Sequence, residues 1–408
     1  MRAMSGSKSS LSSVLGEWGD TDLASEITER TKTLHYESFI FDFYPLALPL
    51  IIDDEDRRYV HDSLASGKEG NSIVYGIFSR YLECLESGGE TARLMKNRLE
   101  EALKKTGVNC IAVTMGDPVK PLSDYESIVN SIAWWKRVLK NFDLLVECHT
   151  AEDIEQAYVS GKIAIILALQ DGGCIGNSLG RLDALYESGV RIIQLTYNTA
   201  NSIGHGCAEP PDKGLTEFGK QAVERMNRLG IVVDLSHCNY QTTMDGIQVS
   251  AKPVAFTHSG CRNIYNHPRS QTEEELIALA KNDGYMGVFT VPSFLSDNPY
   301  PEFDLFIKHF RSALQTVGLE RIGVGSDWGL WSPDVPKELS EAMIQSAYKM
   351  GFSRDMKIIA GTSLQGMDDY TDWIKITEAF VGAGYSDDQI KAFLGGNFLK
   401  FWRRATAG

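Results

Sequence analysis

Residues 231–259 constrain the fold more tightly than any other stretch of this chain. Two short apolar runs, 231–235 (Ile-Val-Val-Asp-Leu) and 253–256 (Pro-Val-Ala-Phe), are β-branched or aromatic in part and bounded by punctuating residues. Runs of this kind suit strands buried on both faces, as in a parallel sheet. The residues between them mix polar and apolar positions over the length that one crossover helix needs. Each run leads into a histidine, His237 and His258. A βαβ unit built this way sets two imidazoles side by side at the carboxyl edge of the sheet, where α/β proteins do chemistry.

The same rhythm extends over most of the chain. Further strands are expected at 38–43 (ended by Tyr44-Pro45), 108–114, 144–147, 163–169, 190–196, 285–291 and 321–325. Residues 66–71 read as a loop and 82–103 as one long amphipathic helix. Helices follow around Trp134-Trp135, after the cap Thr150, and at 179–188, 273–281 and 304–317. A loop through Pro210-Pro211 leads to Thr216, the expected N-cap of a helix at 217–229, with Gly230 as its C′ residue. Helices around 338–349, 369–382 and 387–394 finish the chain, and Trp402 is expected to pack back onto it.

Strands alternating with helices about eight times, without a break in composition, predict an α/β chain folded as a single (β/α)8 TIM barrel. A doubly wound sheet is the alternative, but no GxGxxG follows an early strand. Residues 1–34 read as an N-terminal extension and 35–408 as the barrel domain with its C-terminal helices.

Composition narrows the function classes. A net charge of −14 without a basic cluster argues against nucleic acid as a partner. No apolar run reaches the roughly 18 residues of a membrane span. The Ser-rich stretch Met1–Ser13 lacks the apolar core of a signal peptide. Seven cysteines without a CxxC pair then read as reduced thiols in a cytoplasmic compartment.

The strand ends of a barrel converge on one pocket. Here they carry Asp42 to Pro45, Gln170, Asp171, Tyr197, His237, His258 and Asp327. One strand-end histidine is usually a hydrogen-bonded core residue. Two on adjacent strands, with an aspartate closing the barrel, point to an active site. Such a set could hold a divalent metal, since neutral imidazole suits zinc and Asp327 could ligate it or take a proton from bound water. Gly172-Gly173 could cradle an anion, and Trp328 with Trp331 could wall the pocket. Ser236 and Ser259 sit beside the histidines, but no Gly-x-Ser-x-Gly elbow supports a serine nucleophile.

The segments Gly214-Leu-Thr-Glu-Phe-Gly-Lys, Met226-Asn-Arg-Leu-Gly, Asp234-Leu-Ser-His237, Thr257-His258-Ser259, His267-Pro-Arg269 and Val324-Gly-Ser-Asp327 together resemble the membrane (renal) dipeptidase family. That family belongs to the metal-dependent amidohydrolase-type barrels. The resemblance covers roughly residues 38–329. It implies that His237 and His258 hold one of two zinc ions. It implies that Asp327 binds the other and handles the proton of the nucleophilic water. It implies that Arg269 recognises a substrate carboxylate, as its planar fork suits, and it suggests a homodimer. The departures are as informative. The positions of the family's first-strand zinc ligands correspond to Phe43 and Pro45, its bridging glutamate to Gln170, and a substrate-contacting histidine to Tyr197. One zinc site is dismantled in this reading and the bridge is neutral.

The expectation is a dipeptidase-like hydrolase acting on a small, carboxylate-bearing, amino-acid-derived substrate. At most one Zn2+ would sit on His237 and His258, with Asp327 as general base and with Arg269, Tyr197 and Gln170 as substrate contacts. Asp42, Asp171 and His205 are the residues that could repair the lost ligand set. The alternatives are a metal-free acid–base enzyme using the same pocket for cyclisation, elimination or isomerisation, and a non-catalytic binder.

Overall fold

The structure, a computed structural model, describes residues 21–45, 54–116, 122–209, 213–328, 336–352 and 363–407. Met1–Ser13, Pro210-Pro211 and Trp331 of the sequence reading lie outside these residues, as does Gly329 at the end of the resembling span.

The strands are β1 Phe41–Phe43, β2 Cys110–Thr114, β3 Leu145–Glu147, β4 Ile163–Leu169, β5 Val190–Gln194, β6 Val232–Asp234, β7 Ala255–Cys261, β8 Ser270–Gln271, β9 Tyr285–Val288 and β10 Ile322–Val324. Eight of them run in parallel in the order β1-β2-β4-β5-β6-β7-β9-β10, the α/β barrel that the alternation predicts. The expected strand at 144–147 exists as β3 but is not one of the eight. It pairs with residues 163–165 of β4, while β5 pairs with 167–169. The barrel seam closes where Asp327 N donates to Phe43 O at 3.1 Å and Ser326 N donates to the Asp42 carboxylate at 2.7 Å.

The barrel interior is filled by side chains two residues apart on successive strands: Phe41 and Phe43, Cys110 and Ala112, Ala164 and Ile166, then Ile192, Val232, Ala255 and Tyr285. That period of two is the pleat of a strand. The C-terminal helix Asn397–Thr406 packs against this interior through Phe398, Phe401 and Trp402, all fully buried. Trp402 therefore packs back onto the fold as expected.

Helices form an outer layer. Thr216 caps Glu217–Leu229 by accepting from Gly219 N at 2.9 Å, and Ala222, Val223 and Met226 turn one face inward. Gly230 ends that helix at φ +80°, where a Cβ would also lie 2.9 Å from Thr406 O. The long helix expected at 82–103 is two helices, Gly70–Ser87 and Gly89–Thr106. Gly88 and Gly89 both take positive φ, so the chain turns although the apolar spacing continues. The N-terminal helix Thr21–Glu37 crosses the boundary that the sequence reading draws between residues 34 and 35. Among the described residues, no helix is long and apolar enough to cross a membrane, and all seven cysteines are free thiols.

Candidate active site at the carboxyl ends of the strands

Four aspartates, Asp42, Asp171, Asp234 and Asp327, stand at or just past strand ends, and their surroundings separate their roles. Asp42 is fully buried on the seam, facing away from the interior that Phe41 and Phe43 fill. It accepts from Ser326 N and Oγ, Phe43 N, Tyr370 OH and Trp373 Nε1, all within 3.0 Å. It fastens β1 to β10 and to the C-terminal segment, so it does not repair a ligand set. Asp234 ends β6, also fully buried. It accepts from Ser236 N and Oγ, Thr257 N and Oγ1, and Tyr44 OH. Burial raises the affinity of both for a proton, and this ring of donors works in the opposite direction.

Asp327 is different. It follows β10 at φ +51° and faces a cavity of about 340 Å³. Among the described residues its carboxylate has no hydrogen-bond donor. Burial pushes its pKa up to about 7, against the pull of Arg269 and aided by the charges of Asp42 and Asp234.

The two histidines meet as predicted, with His237 Nε2 and His258 Nε2 3.0 Å apart, and both rings are buried. His237 lies in the turn after β6. His258 lies inside β7 rather than beyond its end, where the β7–β9 register shifts between Phe256 and Ser259. That irregularity lets neighbours Thr257 and His258 share one network, Thr257 Oγ1 lying 2.7 Å from His258 Nδ1.

The Thr257 hydroxyl donates to Asp234, so His258 Nδ1 must donate to Thr257. Two proton arrangements complete the chain. If Asn198 Oδ1 accepts from His237 Nδ1 at 2.8 Å, two Nε2 lone pairs face each other and need a cation between them. If the Asn198 amide is turned to donate, an unbroken chain runs Asn198 to His237 to His258 to Thr257 to Asp234, with both rings neutral. Burial and the nearby Arg269 charge hold both histidines well below their ordinary pKa, so both rings are neutral in either arrangement, and the contacts of Asn198 with Met350 O at 3.5 Å and Cys207 Sγ at 3.4 Å are those of the first.

Arg269 is fully buried. Its two terminal nitrogens donate to Ser236 O and to His258 O (the latter at 2.9 Å), and its Nε has no partner. No carboxylate pairs with it among the described residues. It lies neither in solvent nor on the cavity wall; it clamps the two strand ends from behind the histidines. Tyr44 and Tyr197 line the cavity and close the histidines off from it. The Tyr44 ring meets His258 edge-on with centroids 5.0 Å apart, and Tyr197 stacks on His237 at 4.2 Å. Burial raises both phenol pKa values, so both hydroxyls stay protonated. Gln170 also lines the cavity.

Of the predicted residues, then, Asp327, Tyr197 and Gln170 share the cavity, while His237, His258 and Arg269 form a layer behind it. Asp171 caps a short 3-10 turn and accepts from Gly173 N and Asn201 Nδ2. His205 Nδ1 faces Gly214 O at 3.2 Å. Neither repairs a metal site. The Gly172-Gly173 pair serves close packing rather than an anion, since a Cβ there would meet Ile203 and Ser123. Ser236 Oγ is committed to Asp234, and Ser259 Oγ accepts from Gln271.

Sequence reasoning gave no role to Asn198, Asp234 and Thr257, and placed Tyr44 at the strand ends without giving it one. It assigned Phe43 to the position facing the metal site, but Phe43 packs inside the barrel. Tyr44, at φ +55°, ends the strand and brings its ring onto His258. The quoted Asp234-Leu-Ser-His237 segment held the signal for Asp234, a charge directly after a buried run.

These residues fit a zinc centre poorly. Two imidazoles supply two corners, but among the described residues no group of three or more His, Cys, Asp or Glu side chains could hold a metal. Asp327 does not complete the set, two phenol rings cover the open side, and the unpaired Arg269 charge opposes a further cation.

The family profile described as membrane dipeptidase (Peptidase family M19) matches residues 91–349. A curated relative, the dipeptidase verJ of Clonostachys rogersoniana, is 27% identical over 260 residues, 63% of this chain and 59% of that protein. The match thus spans less than two thirds of that relative's length. Among solved structures, an amidohydrolase from Pseudomonas aeruginosa superposes with a TM-score of 0.72 at 22% identity, covering 93% of this chain and 99% of the other. A metallo peptidase from Rhodobacter sphaeroides, liganded with a phosphinate mimic of the dipeptide L-Ala-D-Ala, gives 0.66 at 18% identity, covering 90% and 99%. At these identities the two structures speak to the fold.

Proposed function

This chain belongs to the membrane dipeptidase family, and from the surroundings of Asp327 we propose that it is an enzyme that moves a proton at that residue on a small, amino-acid-derived carbonyl compound. One observation carries the reading. Among the described residues, Asp327 is the strand-end carboxyl group that lines the cavity and has no donor, and burial brings its pKa to about 7. A general base works best when its pKa lies near the working pH.

In this reading Asp327 takes a proton from the C–H next to the substrate carbonyl and returns it at another atom of the same molecule, an isomerisation in which no group leaves; in an elimination or cyclisation the same proton would pass to the departing group as its bond breaks. Tyr197, kept protonated, donates to the carbonyl oxygen, and the Gln170 amide orients the same group. His237, His258 and Arg269 are positioning residues: they hold the Tyr197 ring and the two strand ends without touching substrate. The zinc-assisted hydrolase expected from the resemblance takes second place, because no third donor joins the two histidines among the described residues.

The test is NMR in D2O with a panel of dipeptides and N-acyl amino acids, alongside elemental analysis of protein purified without chelator. Solvent deuterium should enter the substrate, survive chelation, and fall roughly 10²-fold or more in Asp327→Asn. Zinc that disappears in His237→Ala/His258→Ala, together with amide hydrolysis that requires it, would refute the proposal in favour of the hydrolase.

A further inference from the structure

The walls of the cavity carry information that its floor does not. Three helices distant in sequence build them: Gly70–Ser87 contributes Val74, Tyr75 and Phe78, Tyr125–Asn141 contributes Trp134 and Trp135, and Lys337–Lys349 contributes Met343. The first of these helices lies wholly outside the span matched by the family profile, which begins at residue 91. It is nonetheless locked to the third. Gly70 lies so close that a Cβ would come 2.4 Å from Met343 N, and Lys349 pairs with Glu69 at 2.5 Å. The rings present faces and edges to one another. Trp134 and Trp135 meet edge to face at 5.3 Å, and Tyr75 lies 6.2 Å from Trp134. Gln170, Tyr197 and Asp327 stand at the carboxyl ends of the strands, and Asn71, Thr114 and Ser131 are further polar groups of the lining.

From this arrangement we infer that the cavity selects a substrate bearing a planar aromatic group of one or two fused rings, seated against the aromatic wall that Tyr75 and the two tryptophans form. The inference rests on the Asp327 reading for the pose, with the amide or carboxyl end of the molecule directed to the floor. A cavity of about 340 Å³ is within the range of small-ligand sites. Aromatic walls reward an aromatic occupant through both buried area and ring geometry. A short aliphatic side chain of the alanine type leaves those walls unfilled.

The experiment is calorimetric titration of the full chain with two probes, N-(2-naphthylacetyl)glycine and N-acetylglycine. The naphthyl probe should bind at least tenfold more tightly. Tyr75→Ala should remove most of that preference while leaving the acetyl probe unchanged. Asp327→Asn should keep the preference, because the walls are intact. Equal affinity of the two probes for the wild-type chain overturns the inference without recourse to any variant, and so does a preference that survives Tyr75→Ala in a folded protein. Failure of the Asp327 reading looks different: deuterium incorporation unchanged in Asp327→Asn, with the naphthyl preference still present.

Discussion

At the scale of single residues, the site is a contrast between saturated and unsaturated carboxylates. Asp42 and Asp234 have their charge met by hydroxyl, amide and indole donors, and they act as fasteners. Asp327 has its charge met by none of the described residues, so its proton equilibrium moves to the working range. The same fact has a consequence for stability. Its folded pKa, about 7, lies above the ordinary 3.8. The folded chain therefore binds the extra proton, and stability falls as pH rises from about 4 through about 7. Replacing Asp327 by Asn, which tolerates the left-handed backbone found there, removes that cost. The variant should gain roughly 1–3 kcal/mol over wild type at pH 8.5 and much less at pH 5, with the partly open position of the side chain moderating the gain. Urea unfolding at the two pH values checks this, and an equal gain at both would show that Asp327 does not titrate between them. His237 and His258, neutral throughout, should add no inflection between pH 6.5 and 8 to the rate profile.

At the scale of elements, glycine and proton donors decide where strands and helices stop. The helix Glu217–Leu229 begins at a threonine cap and ends at Gly230, whose φ of +80° and contact with Thr406 O leave no room for a side chain. Gly230→Ala should cost more than 1 kcal/mol through backbone strain and crowding of the C-terminal helix. A melting temperature unchanged from wild type would contradict it. The register shift in β7 acts in the same way on function, placing Thr257 and His258 in one hydrogen-bonded chain. Neither a turn at Gly88-Gly89 nor that shift follows from hydrophobic periodicity, which runs unbroken through both.

At the scale of the whole molecule, the barrel is closed below by its own C-terminal helix. Trp402, fully buried beside Phe398 on the barrel interior, should cost about 3–5 kcal/mol when replaced by alanine. Chemical denaturation measures that loss, and a change below 1 kcal/mol would mean that the interior reseals without it. Much of this architecture was legible beforehand. Short apolar runs alternating with amphipathic segments determined a parallel barrel, and the strand-end rule drew His237, His258, Gln170, Tyr197 and Asp327 to one end of it. Those inferences depend on period and order, which a linear sequence carries. What tertiary structure alone decided was which of these groups meet the cavity. A strand-end residue can turn into the mouth or behind it according to one backbone angle, as Tyr44 does at φ +55°. Whether a carboxylate is a fastener or an acid depends on donors that the fold brings to it: Tyr370 and Trp373 reach Asp42, Tyr44 and Thr257 reach Asp234, and no described donor reaches Asp327. Chemistry at this site is set by that distribution of donors in space, which no spacing in the sequence encodes.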